Sequence, residues 1–119
     1  MIVLVVEDEF MIAKEVESSL RVLGHHVLGP VATVGEALQT LDEGPLPDAA
    51  ILDLNLRGAT SIAVAEELSR HRIPFAFASG YDADSKLQQR FTSARWLRKP
   101  YTEGQMQTLL DRIGEERLT

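Results

Sequence analysis

Apolar residues along this chain fall into two rhythms that alternate from one end to the other. Ile2–Val6 is a β-branched run and reads as a buried strand. From Phe10 the period changes. Ile12, Val16, Leu20 and Leu23 recur at helical spacing, with Lys14, Glu15, Glu17, Ser18 and Arg21 between them and Gly24 at the end. Val27–Val31 is the next strand, and Gly29-Pro30 inside it means that it lies at a sheet edge or is short, because proline donates no ladder hydrogen bond. Thr33 and Glu36 have capping-box spacing before a helix striped by Val34, Ala37, Leu38 and Leu41 and closed by Gly44-Pro45. Ala49–Leu56 is an apolar run that meets Asp53, followed by a loop over Arg57–Thr60. Ile62, Ala65 and Leu68 mark a third helix to about His71. Pro74 leads into a strand, Phe75–Ala78, that ends at Ser79-Gly80-Tyr81, and Asp84–Phe91 is weakly helical, with Leu87 and Phe91 as its apolar pair. Arg95–Arg98 is a short last strand broken by Lys99-Pro100. Thr102 and Gln105 repeat the capping-box spacing before a helix faced by Met106, Leu109, Leu110 and Ile113.

Strand and helix thus alternate five times, which predicts an α/β fold: a (βα)5, doubly wound, five-stranded parallel sheet with right-handed crossovers and helices on both faces. A closed barrel needs about eight such units. In a parallel sheet every carboxyl end lies on one edge, where open α/β sheets place their ligands. That edge gathers Glu7 and Asp8 from the first strand, Asp53 from the third, Ser79 from the fourth and Lys99 from the fifth.

Three crowded carboxylates repel unless a cation joins them or their pKa values rise. Hard oxygen donors, with no cysteine and no credible histidine cluster, point to Mg2+ rather than zinc. A hydroxyl and an ammonium beside such an ion suit a transferring phosphoryl group, whose equatorial oxygens carry the developing charge. A carboxylate can itself be the nucleophile. The roles read from this pattern have Asp53 attacking phosphorus, with Glu7, Asp8 and the Asn55 backbone carbonyl holding the metal alongside it. Ser79 donates to one phosphoryl oxygen and Lys99 pairs with another. Each residue alone has a plainer reading: a solvated helix start for Glu7-Asp8, a turn residue for Ser79, a surface lysine for Lys99. The coincidence of four strand ends carries the case.

Composition narrows the classes. At 119 residues the chain is one domain by length, and the absence of cysteine rules out a disulfide framework or thiolate metal site. A net charge of −6 argues against a general nucleic-acid surface. Met1–Val6 has no basic flank and is too short for a signal peptide, and no segment approaches the length of a membrane span. The expectation is a cytoplasmic protein with no direct nucleic-acid or membrane partner. Against the acidic whole, Asp82–Tyr101 carries Lys86, Arg90, Arg95, Arg98 and Lys99 with only Asp82 and Asp84 opposing them. This is a solvated face or a partner-docking face. His25, His26 and His71 read as loop and helix-end residues.

The pieces Val6-Glu7-Asp8-Glu9, Ile51-Leu52-Asp53-Leu54, Ser79-Gly80 and Lys99-Pro100 resemble the receiver domain of two-component response regulators, and the resemblance covers essentially the whole chain. Asp53-Leu54-Asn55-Leu56, with Pro74-Phe75-Ala76-Phe77-Ala78-Ser79-Gly80-Tyr81, is similar to the FAT GUY subgroup of stand-alone receivers, Ser79 replacing its usual threonine. The resemblance implies the flavodoxin-like strand order 2-1-3-4-5 and a cis peptide at Lys99-Pro100, and it leaves a gap, since the expectation is a single receiver domain over 1–119 with no output domain after the last helix. It also implies Mg2+-dependent phosphorylation of Asp53 by a histidine kinase or histidine phosphotransferase, slow self-hydrolysis and an unidentified downstream target. Receivers carry a rotating aromatic at the position of Trp96. Trp is bulkier than the usual Tyr or Phe, so packing over the fourth helix is the alternative there. In the subgroup Tyr81 and a mobile fourth helix carry the signal instead. The partner surface is expected over Phe75–Tyr101, with Tyr81, Lys86, Arg90, Arg95, Trp96 and Pro100 in it.

Two other classes compete. An aspartate-nucleophile phosphatase of the haloacid dehalogenase type needs an acid two residues beyond the nucleophile, where this chain has Asn55, and an amide cannot shuttle the proton. A receiver-like docking module that signals without phosphorylation is the other. A phosphate sink and an active signalling subunit are not separated by sequence.

Overall fold

The computed structural model describes residues 1–80 and 95–118. The helix expected over Asp84–Phe91, together with Tyr81, Lys86 and Arg90, lies outside the described residues. The elements in chain order are β1 (Ile2–Val6), α1 (Phe10–Val22), β2 (His26–Val31), α2 (Val34–Glu43) and β3 (Ala49–Asp53). They continue with β4 (Asn55–Leu56), β5 (Ala59–Thr60), α3 (Ile62–Arg70), β6 (Phe75–Ser79), β7 (Arg95–Arg98) and, as α4, Glu103–Leu118.

The five long strands form one parallel sheet in the order β2-β1-β3-β6-β7, which is 2-1-3-4-5 when those strands alone are counted. Side chains alternate across a strand, and each face of the sheet takes every second residue. Leu4, Val6, Ala50, Leu52, Phe75 and Phe77 pack with Ala37, Leu41, Val64 and Leu68 from α2 and α3. Val3, Val5, Ala49, Ile51, Ala76 and Ala78 pack on the other side with Val16, Leu20, Met106, Leu110 and Ile113 from α1 and α4. Every residue of β3 is buried, which is why it reads as an unbroken apolar run rather than an alternating one.

The edge position expected for β2 is observed. Gly29 holds φ +92, and a Cβ there would come within 2.8 Å of the Val31 nitrogen, so only glycine fits. The ladder shifts register at this point, and the Glu7 N–H is then received by the Val31 carbonyl at 2.9 Å, which fixes the chain as it leaves β1. The Lys99-Pro100 peptide is cis, as the resemblance implied, and Gly29-Pro30 is cis as well.

The Thr102–Gln105 capping box forms in full, and at α2 the Thr33 N-cap forms while its hydroxyl donates to Glu36 Oε1. Thr33 Oγ1 accepts from the Glu36 N–H at 3.0 Å, and Thr102 and Gln105 satisfy each other's backbone N–H groups at 3.1 and 2.8 Å. Thr33→Ala is expected to cost about 1 kcal/mol in urea unfolding, the usual value of an N-cap. A loss below a few tenths would mean that packing alone sets the start of α2. The segment expected as a loop over Arg57–Thr60 is tighter than that: Asn55 pairs with Thr60 and Leu56 with Ala59 in an antiparallel ribbon, with Gly58 at φ +73 in the turn.

Candidate active site

The carboxyl ends of β1, β3, β6 and β7 converge as the parallel sheet requires. Glu7 follows β1 and is buried, Asp53 ends β3 and is buried, and Ser79 ends β6, also buried. Asp53 pairs in register with Ala78, one residue before Ser79, and the Lys99 N–H is held by the Ser79 carbonyl at 2.7 Å. Backbone ladders therefore place all the side chains before any of them interacts. The plainer reading of Glu7-Asp8 as a solvated helix start does not hold for Glu7, which is only 6% exposed and precedes α1 by three residues.

Lys99 is the hub. Its Nζ lies 3.0 Å from Glu7 Oε1 and 3.2 Å from Asp53 Oδ2. The second Glu7 oxygen accepts the Glu9 N–H at 3.2 Å. Asp8 Oδ2 accepts the Arg57 backbone N–H at 3.2 Å and lies 3.6 Å from Arg57 Nε. Glu7, Asp8 and Asp53 each offer a carboxylate oxygen, and these lie within 4.8 Å of one another. Among the described residues this is the acidic group with that geometry. Ser79 Oγ makes a long contact of 3.4 Å with the Gly80 carbonyl, so its proton is weakly held.

The electrostatics follow from this crowding. Burial, and then the hydrogen-bonded, negatively charged Glu7, push Asp53 up to about 6; Lys99 opposes them without winning. Burial alone would raise Glu7 too, but hydrogen bonds with Asp53, Lys99 and the Glu9 N–H outweigh it, and Glu7 lies below its ordinary value. The pair thus shares one readily added proton, on Asp53. Burial works against the charge of Lys99, yet its two carboxylate partners hold its pKa above the ordinary value. Tyr101, two residues past Lys99, is raised to about 12 by burial and by the negative Glu7 and Asp53. The cluster has more negative charge than Lys99 and Arg57 balance, and its donors are all hard oxygens. That combination fits a small divalent cation such as Mg2+, with Glu7, Asp8 and Asp53 as its protein ligands.

A testable consequence concerns pH in metal-free solution. An unfolded aspartic acid ionises near about 3.9, and folded Asp53 near about 6. Folding binds that proton more tightly, so stability linked to it is complete below about 3.9 and is lost as pH rises through about 6. Asp53→Asn removes the linkage. Its stability advantage over wild type is expected to grow by about 2–3 kcal/mol between pH 4 and pH 7.5. An advantage constant with pH in thermal or urea melts would contradict the raised value.

The remaining sequence-predicted residues are spread out. Asn55 is exposed in the β4–β5 ribbon, next but one to Asp53. Trp96 is half-buried, paired in register with Phe77, its ring 4.9 Å from the Phe77 ring. It therefore rests on the core side shared with α2 and α3. Arg95 is ion-paired with Glu116 of α4, so its charge is already engaged within the chain. Pro100 and Tyr101 line a cleft of about 520 Å³ with Ile12, Val16 and Met106, and Lys99 stands in the same wall. His25 and His26 enter β2 at the opposite end of the sheet, and His71 closes α3 beside Glu67. Arg57 and Tyr101 were not singled out by sequence. Arg57 meets Asp8 across 49 residues, which no local pattern reveals. Tyr101 follows the Lys99-Pro100 break closely enough that its place at the strand-end edge was available as a signal.

No protein-family model matches the chain. It is similar to SdrG from Sphingomonas melonis Fr1, at 42% identity over 93% of each chain and a TM-score of 0.79. SdrG has also been solved in a BeF3-activated conformation. A second structural relative is the receiver domain of the sensor histidine kinase PA1611 from Pseudomonas aeruginosa, which carries a magnesium ion coordinated in its active-site cleft. The match is 23% identical over 95% of this chain and 97% of that one, with a TM-score of 0.80. Among curated sequences the phyllosphere-induced regulator PhyR of Methylorubrum extorquens is 30% identical over 101 residues. That alignment takes in 83% of this chain, which spans only 38% of the length of PhyR. Among the described residues no helix is long and apolar enough to cross a membrane.

Proposed function

The chain belongs to the receiver-domain family of response regulators, and from that premise we propose that Asp53 accepts a phosphoryl group from a phosphohistidine. The observation that carries the proposal is the position of Lys99, 3.0 Å from Glu7 and 3.2 Å from Asp53, at an edge where Asp8 and the Ser79 hydroxyl also arrive. In this reading Asp53 Oδ attacks phosphorus as the bond from phosphorus to the donor imidazole nitrogen breaks. The electron pair returns to the imidazole, and an acyl phosphate forms on Asp53. A carboxyl ionising near about 6 is mostly anionic at neutral pH, so the nucleophile needs no base. Lys99 exchanges a carboxylate partner for a phosphoryl oxygen, and Ser79, whose proton is weakly held, donates to another. Glu7, Asp8, Asp53 and the Asn55 backbone carbonyl would hold Mg2+, whose charge offsets that of the approaching phosphoryl oxygens.

The acyl phosphate adds roughly −1.5 to −2 charges at neutral pH, which the rearranged Ser79 and Lys99 report to neighbouring segments. Water later cleaves it slowly, so the chain catalyses only its own phosphorylation and dephosphorylation. The run Pro74–Tyr81 supports a place in the FAT GUY subgroup, as a cytoplasmic receiver within a phosphorelay. A histidine kinase or histidine phosphotransferase is the donor, and the surface around Pro100, Trp96 and the preceding basic segment is where a protein partner reads the state.

The test is label transfer from a panel of phosphorylated histidine donors to the wild type and to Asp53→Asn. Rapid transfer to the wild type from at least one donor, and none to the variant, is expected. No transfer from any donor would replace this reading with a docking module that signals without phosphate.

A further inference from the structure

Taking as given the proposed metal role of Asp8, we infer that Arg57 is a tethered counter-ion which the metal must displace, and that it sets the metal affinity of the site. The three carboxylates of the cluster are not served by one cation. Lys99 contacts Glu7 and Asp53, while Asp8 meets Arg57. The ribbon of β4 and β5 brings the two residues together. Its turn at Gly58, with φ +73, sets the Arg57 backbone so that the N–H reaches Asp8 Oδ2 at 3.2 Å, and the side chain folds back to place Nε 3.6 Å from the same oxygen.

The two contacts differ in what they can give up. The backbone N–H stays whatever residue occupies position 57. The guanidinium side chain is 87% exposed, whereas that of Asp8 is 14% exposed, so the arginine is free to leave into water while the carboxylate is not. An incoming divalent ion needs a lone pair of Asp8 and meets a positive charge one contact away. Its binding is weakened by the repulsion between the two cations and by the ion pair that must be loosened. At this separation and exposure the penalty is modest, a roughly three- to tenfold loss of affinity in dilute buffer, and salt screens it. In return Arg57 steadies Asp8 when no metal is bound.

Arg57→Ala is therefore expected to move two properties in opposite directions. Magnesium affinity, measured by calorimetric titration of the full chain at low ionic strength, rises roughly three- to tenfold, and the gain shrinks below about twofold at high ionic strength. The melting temperature of the metal-free protein falls by a degree or so, about what one exposed ion pair contributes. Arg57→Lys keeps the charge and stays within about twofold of wild type in affinity. A residue that merely shapes the turn would lower stability without tightening metal binding. Equal or weaker magnesium binding by Arg57→Ala at low salt overturns the inference while leaving the metal site intact. Absence of magnesium binding by wild type and variant alike overturns the metal role of Asp8 itself, and the inference with it.

Discussion

Lys99→Met should lower phosphoryl incorporation into the protein by about a hundredfold or more, the usual cost of removing a charged donor aimed at a developing oxyanion. Methionine keeps the length and apolar stem of lysine, so the change isolates the ammonium. Two effects combine. The phosphoryl oxygen that Lys99 would pair with loses its partner, and Glu7 and Asp53 lose the cation that lies 3.0 and 3.2 Å from them. The second effect has a stability signature. Without the lysine the two carboxylates repel directly, and Asp53 holds its proton to still higher pH. Metal-free Lys99→Met is expected to be less stable than wild type by about 1–2 kcal/mol at pH 7.5. A fully buried orphan charge costs more, but Lys99 is 24% exposed and protonation of Asp53 offers relief. The deficit should narrow at pH 5, where that proton is present. It should also largely vanish in the Lys99→Met, Asp53→Asn double variant, because the partners are coupled. A destabilisation unchanged by either would mean that Lys99 acts through packing alone.

Asp53→Asn should end incorporation altogether, a drop of at least about a thousandfold, because an uncharged amide is a far poorer nucleophile than a carboxylate. The same variant is expected to fold and to be more stable than wild type near neutral pH without metal, since it removes one of three crowded carboxylates. Loss of function with gain of stability separates a nucleophile from a scaffold residue. Incorporation surviving in the variant, with the adduct mapped to another side chain, would move the acceptor elsewhere.

Much of this site could be read from residues alone, and the reason is geometric. The alternation of Ile2–Val6, Ala49–Asp53 and Phe75–Ser79 with helical stripes forces a parallel sheet, and a parallel sheet forces its carboxyl ends together. Glu7, Asp53, Ser79 and Lys99 therefore converge without any knowledge of side-chain positions. Gly29-Pro30 marked the edge strand through chemistry local to two residues. What escaped was longer in range or shorter in pattern. The Arg57–Asp8 pairing depends on how a ribbon of two-residue strands folds back, and strands that short carry no periodicity. Arg95, counted from its charge as a docking residue, is engaged by Glu116, a partner 21 residues away that charge counting does not see. The raised pKa of Asp53 also needed the fold, because it depends on burial and on the hydrogen bond with Glu7.

Intact mass after treatment with a small phosphodonor, with magnesium and with a chelator, decides whether Asp53 is a magnesium-dependent phosphoacceptor. One phosphoryl adduct per chain is expected, which requires magnesium, withstands acid, is lost in base and maps to the peptide containing Asp53. An adduct that forms equally well in chelator, or that maps away from Asp53, would contradict it.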